Sequence, residues 1–271
     1  MIIYIISIII ILIIIVYIIL IKKNKISRIS KIPKIIYQTY IDEKEIPSDI
    51  IKCSKKKLIK NNPDYKYKFY NNNDIKKYIL NNWGDKMLNI YESINKSYGA
   101  ARADLFRYLI LYDKGGVYFD IKSTCNKKLD KIIDSNDEFI LCHWGDFWKN
   151  NSKPWSKVLN NDNGEFINWF IACKPKHIFL KKVIDNIVNK IINIKLNKIK
   201  VRGKKDVLFI TGPVIYSKTI LDILRNKNIK NIKNIKIYKN FKLLGLVYSC
   251  QNHIKLFKNH YSFNKDLIIN I

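Results

Sequence analysis

Ala100–Lys122 reads A-A-R-A-D-L-F-R-Y-L-I-L-Y-D-K-G-G-V-Y-F-D-I-K, and this stretch decides the fold. Ala101, Leu105, Tyr108, Leu109 and Tyr112 recur at helical spacing, which predicts a helix with one face packed inward. Asp104 and Arg107, three residues apart, share a face of that helix about a turn apart. Gly115 and Gly116 end it, as glycine does where the backbone turns to positive φ. Val117-Tyr118-Phe119 is too apolar for an exposed edge strand and reads as a buried one. Asp120 then leaves the strand at its C-terminal end, where open α/β sheets bind ligands.

The flanking segments extend the pattern. Ile35–Tyr40 follows Pro33 and reads as a first strand. Pro47-Ser48 opens a helix running to about Lys60, with Ser48 as the expected N-cap. Asn62-Pro63-Asp64-Tyr65 is a turn, and Tyr65–Tyr70 alternates aromatic and lysine like a half-buried strand. Asn73 or Asp74 caps a helix toward Trp83, and Gly84 breaks it. After the central stretch, Phe139–Cys142 reads as a strand and Lys149–Gly164 as a polar loop. Ile178 to about Ile192 reads as a helix with a core-facing stripe. Leu208–Thr211 reads as a strand running into a helix at Gly212-Pro213, with proline at the first helical position. Strand and helix alternating in this order predict an α/β domain with a mostly parallel central sheet flanked by helices.

The chain has 271 residues, 48% of them hydrophobic, which suffices for one domain with a full core. Ile2–Ile21 is apolar apart from Tyr4, Ser7 and Tyr17, the length of a membrane-spanning helix. No small-residue cleavage site follows, so a retained anchor is expected rather than a removed signal peptide. The expected organisation is therefore a transmembrane anchor at residues 1–21, a basic juxtamembrane linker at 22–31 and one folded domain at 32–271. Lys22, Lys23, Lys25, Arg28 and Lys31 follow the span, which by the positive-inside rule keeps the domain cytoplasmic. The net charge of +28 has two compatible readings. Lysines are spread along the chain together with many Ile, Asn and Tyr, as codon bias in an A+T-rich microbial or large-virus genome produces. An anionic partner is the other reading; specific nucleic-acid binding is not expected. Cys53, Cys125, Cys142, Cys173 and Cys250 are scattered without a C-x-x-C, which reads as reduced thiols.

The spaced Asp104 and Arg107, the Gly-Gly step, the aromatic strand and Asp120 together resemble the signature of the glycosyltransferases with the sugar-binding DXD motif. This group, glycosyltransferase family 32, includes the fungal initiating α-1,6-mannosyltransferases. Ile32-Pro33-Lys34-Ile35-Ile36-Tyr37-Gln38-Thr39-Tyr40 is similar to the family's opening I-P-K-I-I-H-Q-T-W, with Tyr37 and Tyr40 in place of His and Trp. Asn62-Pro63-Asp64-Tyr65, the segment Glu165–His177 with Asn168, and Thr211-Gly212-Pro213 match further family blocks. The last position departs: Asp120-Ile121-Lys122 has lysine where the motif has its second aspartate.

The resemblance implies a GT-A-like nucleotide-sugar-binding fold and transfer of a hexose-type sugar, with retention, from a UDP- or GDP-sugar to a glycan, glycoprotein or glycolipid acceptor. It implies a donor site made by Tyr37, Gln38, Asp104, Arg107, Gly116, Tyr118, Asp120 and Lys122, with Asp120 and Asn168 at the reacting centre. Tyr37 and Tyr40 leave stacking on a base open. Trp144, Asp146 and Trp148 combine rings and a carboxylate as sugar sites do, and equally as a hydrophobic cluster under a loop does. A divalent metal (Mn²⁺ or Mg²⁺) is implied, held by Asp120 with His260 and the diphosphate. The alternative is that Lys122 replaces it. By analogy with the family the domain faces the Golgi or ER lumen, against the charge rule. Two other classes fit the residues: an inactive sugar-nucleotide-binding module, and a basic membrane-tethered anion-binding protein.

Overall fold

The computed structural model describes Ile14 and residues 30–145, 155–226, 232–250 and 264–271. The account concerns Lys31–Ile271, one of the two units into which the chain divides. The proposed anchor and most of the basic linker lie outside the described residues.

Six strands build the sheet: β1 Ile35–Thr39, β2 Lys66–Tyr70, β3 Gly116–Phe119, β5 Phe139–Cys142, β6 Phe170–Cys173 and β7 Ile235–Tyr238. A two-stranded ribbon pairs β4 Thr124–Cys125 with β8 Leu246–Val247. The sheet order is β2-β1-β3-β6-β5-β7. β1 runs parallel to β2 and to β3, and β5 parallel to β7. β6 is antiparallel to both β3 and β5, so the sheet is mostly parallel with one reversed strand. Because of that reversal the start of β6 lies at the same edge as the ends of β1, β3, β5 and β7. The loops carrying Asp120, Asn168 and Trp144 therefore converge there, as the chemistry at strand ends requires.

Side chains alternate across the sheet as the pleat dictates. Tyr118, Ile171, Cys173, Phe139 and Leu141 face one core, while Val117, Phe119, Phe170, Ala172, Ile140 and Cys142 face the other. The first core is covered by helices α3 Gly99–Lys114, α5 Ile178–Leu196 and α7 Pro213–Arg225. α3 is buried nearly all round, including Leu105 and Leu109 at 0% exposure, each adding about 2 kcal/mol of apolar burial. Gly116 sits at φ 105°, and a Cβ there would stand 2.8 Å from the Ile35 carbonyl, so β3 can approach β1 this closely only with glycine.

Several local expectations change. α1 is Ser48–Ile50, a π-helical Ile51–Lys56 and Lys57–Asn61 in succession. Its cap position is Pro47, with no side-chain cap, so Ser48 is already helical. α2 Asn72–Ser93 is capped by Asn71, two or three residues earlier than expected, in a reciprocal capping box with Asp74. Gly84 breaks α2 at φ 76° as expected. The loop before β6 contains a short helix, α4 Ser156–Leu159. Leu208–Thr211 is not a strand: α6, Gly203–Ile210, is a helix whose start is fixed by Arg202 N–H donating to Asp206 Oδ2 at 2.7 Å. Among the described residues one stretch, Gly203–Arg225, is long and apolar enough to cross a membrane. Thr211-Gly212 divides it, and Val207, Ile210, Val214 and Ile220 are buried in the core.

Candidate functional site

The site is built around one guanidinium. Arg107 Nη2 lies 3.1 Å from Asp104 Oδ1 and 2.9 Å from Asp120 Oδ1. Its Nη1 donates to the Asn168 carbonyl at 2.6 Å, and the group lies 4.6 Å above the Tyr118 ring. Helix spacing brings Arg107 to Asp104, and the Gly115-Gly116 turn folds β3 back so that Asp120 meets the same group. The Arg107 and Asp104 side chains are 4% and 8% exposed, whereas Asp120 is 22% exposed and is the member open to a ligand.

Asp104 is held from two further elements. Asn168 Nδ2 donates to its Oδ1 at 3.0 Å and to Tyr108 Oη at 2.9 Å. Thr211 Oγ1 donates to its Oδ2 at 3.1 Å. Burial pushes the Asp104 carboxyl up to about 7, against the pull of Arg107. Both oxygens of Asp104 are engaged inside the protein, so Asp104 and Arg107 lie beneath Asp120 and hold it. Asn168 just precedes β6 and braces Asp104.

The turn after Asp120 is equally fixed. Ser123 N–H donates to the Asp120 carbonyl at 2.8 Å. Gln38 is fully buried: Nε2 donates to the Asp120 carbonyl at 3.0 Å and to Ser54 Oγ at 3.1 Å, and Oε1 accepts from Tyr67 Oη. Ser54 Oγ donates to the Ser123 carbonyl at 2.6 Å, and Ser123 Oγ to the Tyr248 carbonyl at 2.6 Å. Gln38 thus shapes the turn rather than meeting a donor directly. Cys250 N–H donates to the Lys122 carbonyl at 3.2 Å, and Cys250 is disulfide-bonded to Cys53 of α1. That disulfide corrects the expectation of five reduced thiols; Cys125, Cys142 and Cys173 are free and buried. Lys122 is half-buried with Nζ 4.6 Å from the Tyr248 ring centre. Burial lowers its ammonium's pKa, and Asp120 opposes that shift.

Other expected residues fall elsewhere. Tyr37 is 1% exposed in the first core beside Tyr70, so it is not available to stack on a base. Its position alternates with Ile36 and Gln38, which face the other side. Gly116 serves the close strand approach. Trp144 is 9% exposed and packs in an aromatic cluster with Trp169, Phe241 and Tyr248, at 6.1, 5.8 and 5.0 Å between ring centres. That is the under-loop cluster rather than a presented sugar platform, although Tyr248 links it to Lys122. Asp146, Trp148 and His260 lie outside the described residues.

The donor set was tested against a divalent metal. Asp120 Oδ1 is committed to Arg107, Lys122 stands in the second motif position, and no group of three His, Cys, Asp or Glu suited to a metal occurs among the described residues. The described residues by themselves do not make up the ligand set of the metal implied by the motif, and His260, the other ligand expected, lies outside them.

Sequence reasoning missed Thr211, Tyr108, Ser54, Tyr248 and Glu165. Glu165 is 5% exposed at the same sheet edge, and burial pushes its carboxyl up to about 7 against a hydrogen bond from Trp144. Thr211 and Glu165 lie in segments that match family blocks, but the match names neither the Thr211 hydroxyl nor the Glu165 carboxyl as part of the site.

Comparison with known proteins agrees with this geometry. Residues 48–139 match the family described as "Glycosyltransferase sugar-binding region containing DXD motif". The chain is 30% identical over 213 residues to the initiation-specific alpha-1,6-mannosyltransferase of Candida albicans, covering 70% of this chain and 53% of that one. It is 30% identical over 183 residues to inositol phosphoceramide mannosyltransferase 3 of Schizosaccharomyces pombe, covering 68% and 43%. An uncharacterized glycosyltransferase of Acanthamoeba polyphaga mimivirus is 28% identical over 154 residues, covering 56% and 54%. The chain thus spans about half the length of these relatives. Among solved structures, the PaToxG glycosyltransferase shares the fold with a TM-score of 0.50 at 20% identity, covering 71% of this chain and 70% of that one. Over residues 48–139 the chain matches the glycosyltransferases whose sugar-binding region contains a DXD motif.

Proposed function

We propose that this protein transfers a hexosyl unit from a nucleotide-sugar donor to a glycan, glycoprotein or glycolipid acceptor, with retention at the anomeric carbon. The carrying observation is Asp120, partly exposed at the sheet's carboxyl edge and oriented by a buried Arg107 that also holds Asp104. A carboxylate in a fixed position accepts hydrogen bonds from sugar or ribose hydroxyls, and its bond to Arg107 keeps it aimed. The surrounding struts from Gln38, Ser54, Thr211 and Asn168 preorganise it, which is where such sites gain rate. Two of the named relatives are mannosyltransferases, so a mannosyl donor heads the substrates to test.

The apolar run Ile2–Ile21 supports reading it as an N-terminal anchor, which would put the reaction at a membrane. The Cys53–Cys250 disulfide supports the lumenal orientation over the cytoplasmic one, because disulfides persist in oxidising compartments.

The test is a thermal-shift and hydrolysis screen of UDP-glucose, UDP-galactose, UDP-N-acetylglucosamine and GDP-mannose. One donor should stabilise the protein and be slowly hydrolysed. Stabilisation without turnover would favour the binding-module reading, and no response to any donor would overturn the proposal.

A further inference from the structure

We propose that the Lys122 ammonium supplies the positive charge on the leaving diphosphate that the family motif otherwise assigns to a divalent metal. This rests on the transferase reading above. The first observation is position. Lys122 occupies the second motif place in a turn whose backbone is tied at Asp120, Ser123 and the Lys122 carbonyl itself. The turn cannot swing away to let other ligands in; only the Lys122 side chain has freedom.

The second observation is pairing. Lys122 Nζ makes no hydrogen bond or ion pair among the described residues; it rests against the Tyr248 ring at 4.6 Å. The nearby carboxylates are already taken: Asp120 by Arg107, and Asp104 by Arg107, Asn168 and Thr211. An ammonium left without an anion beside the residue that meets the donor is set up to receive one.

The third observation is charge balance. Asp104 and Asp120 carry at most two negative charges, and Arg107 and Lys122 two positive ones, so the site has no net negative charge without a metal. With aspartate at position 122 the same count is three carboxylates against one guanidinium, a net charge of minus two. A divalent ion cancels that charge, and the lysine removes the need for it.

In the reaction the bond from the anomeric carbon to the phosphate oxygen breaks, and its electron pair stays on the diphosphate. The acceptor hydroxyl oxygen bonds to that carbon, and its proton passes to the diphosphate. Lys122 neither gives nor takes electrons. It stabilises the charge that grows on the leaving oxygen.

The experiment measures GDP and UDP affinity of the full chain by calorimetry, in EDTA and in Mn²⁺, for wild type, Lys122→Ala, Lys122→Arg and Lys122→Asp, with melting curves to confirm folding. Wild type should bind one nucleotide equally in EDTA and Mn²⁺. Lys122→Ala should lose about ten-fold or more in EDTA, Lys122→Arg should retain most affinity, and Lys122→Asp should bind only with Mn²⁺. Wild-type binding that needs Mn²⁺, or a folded Lys122→Ala protein with unchanged affinity in EDTA, would overturn the inference. If wild type binds neither nucleotide in either condition, the transferase reading fails and the inference goes with it.

Discussion

Replacing Arg107 by methionine tests whether the buried network carries the energy its geometry implies. Methionine keeps much of the volume and removes the guanidinium. Two carboxylates lose their counter-charge, the Asn168 carbonyl loses a 2.6 Å donor, and the Tyr118 ring loses its cation. Asp104 stays at 8% side-chain exposure with no positive partner. Removing one member of a buried pair costs about 3–5 kcal/mol, mostly the penalty of the stranded charge. For a domain of this size that lowers the melting temperature by roughly 10 °C. The control is Lys181→Met, which deletes the i,i+4 pair to Asp185, whose side chains are 45% and 38% exposed. Such a pair contributes about 0.3–0.5 kcal/mol, so its melt should move by no more than about 2 °C. Adding Asp104→Asn to Arg107→Met should restore part of the loss, because the stranded carboxylate is gone. Circular-dichroism melts of the four proteins decide it. If Arg107→Met melts no lower than Lys181→Met, the ion pairs are not a buried unit and the reading of the site as preorganised is wrong.

Glu165→Gln should stabilise the protein more at pH 8 than at pH 5. The folded carboxyl sits near 7 against about 4.5 unfolded, so the folded state binds the proton more tightly. Stability is then lost as pH rises through that window, by up to about 3 kcal/mol, and glutamine removes the loss; an equal benefit at both pH values would refute this. His177 behaves in the opposite sense: burial, with Lys174 nearby, lowers its pKa to about 4. The unfolded chain takes up the proton first, so stability falls as pH drops from about 6.5 toward 4. His177→Asn keeps a side-chain acceptor for the Phe179 N–H that His177 caps, and its urea midpoint should change less between pH 7 and pH 4.5 than that of wild type; parallel acid sensitivity would count against the assignment. Reduction of Cys53–Cys250, separated by 197 residues, should lower stability by up to about 5 kcal/mol on chain-entropy grounds. Thiol titration of the unreduced, denatured protein should give three thiols, and superimposable melts with and without reductant would contradict the expected stabilisation.

What was legible in the sequence was local. The helix, the Gly-Gly stop, the strand and Asp120 lie within one continuous stretch, and their relation is fixed by helical spacing and by two glycines at φ 62° and 105°. Asp104 and Arg107 needed only a period of 3.6 to be placed together. The direction of β6 was not legible, because a buried strand has the same apolar run whichever way it pairs. Tyr37 failed for a related reason. Both faces of a central strand are buried, so alternation says that Tyr37 and Gln38 point apart but not which one lies nearer the site. Leu208–Ile210 misled because a short apolar run fits a strand or a buried helix equally. The decision came from Asp206 bonding back to Arg202 and from burial of Val207 and Ile210.

The supports of the site were illegible on stronger grounds. Thr211 reaches Asp104 across 107 residues and Ser123 reaches Tyr248 across 125, and no local pattern encodes such meetings. The same holds for Cys53 and Cys250, whose separation gives a spacing rule nothing to act on. This division explains why the sequence shows Lys122 as a departure and leaves replacement of the metal only as an open alternative. Its identity is local, and against the motif it reads as a lost ligand. Its role depends on partners that are not local: a turn braced by Gln38 and Ser54, carboxylates already satisfied by Arg107, Asn168 and Thr211, and the Tyr248 ring beside its ammonium. On the proposed reading, a metal there would meet a cation in a hydrogen-bonded turn, whereas a diphosphate would meet an ammonium donor. The substitution that looks like damage in one dimension is, in three, a self-consistent electrostatic arrangement.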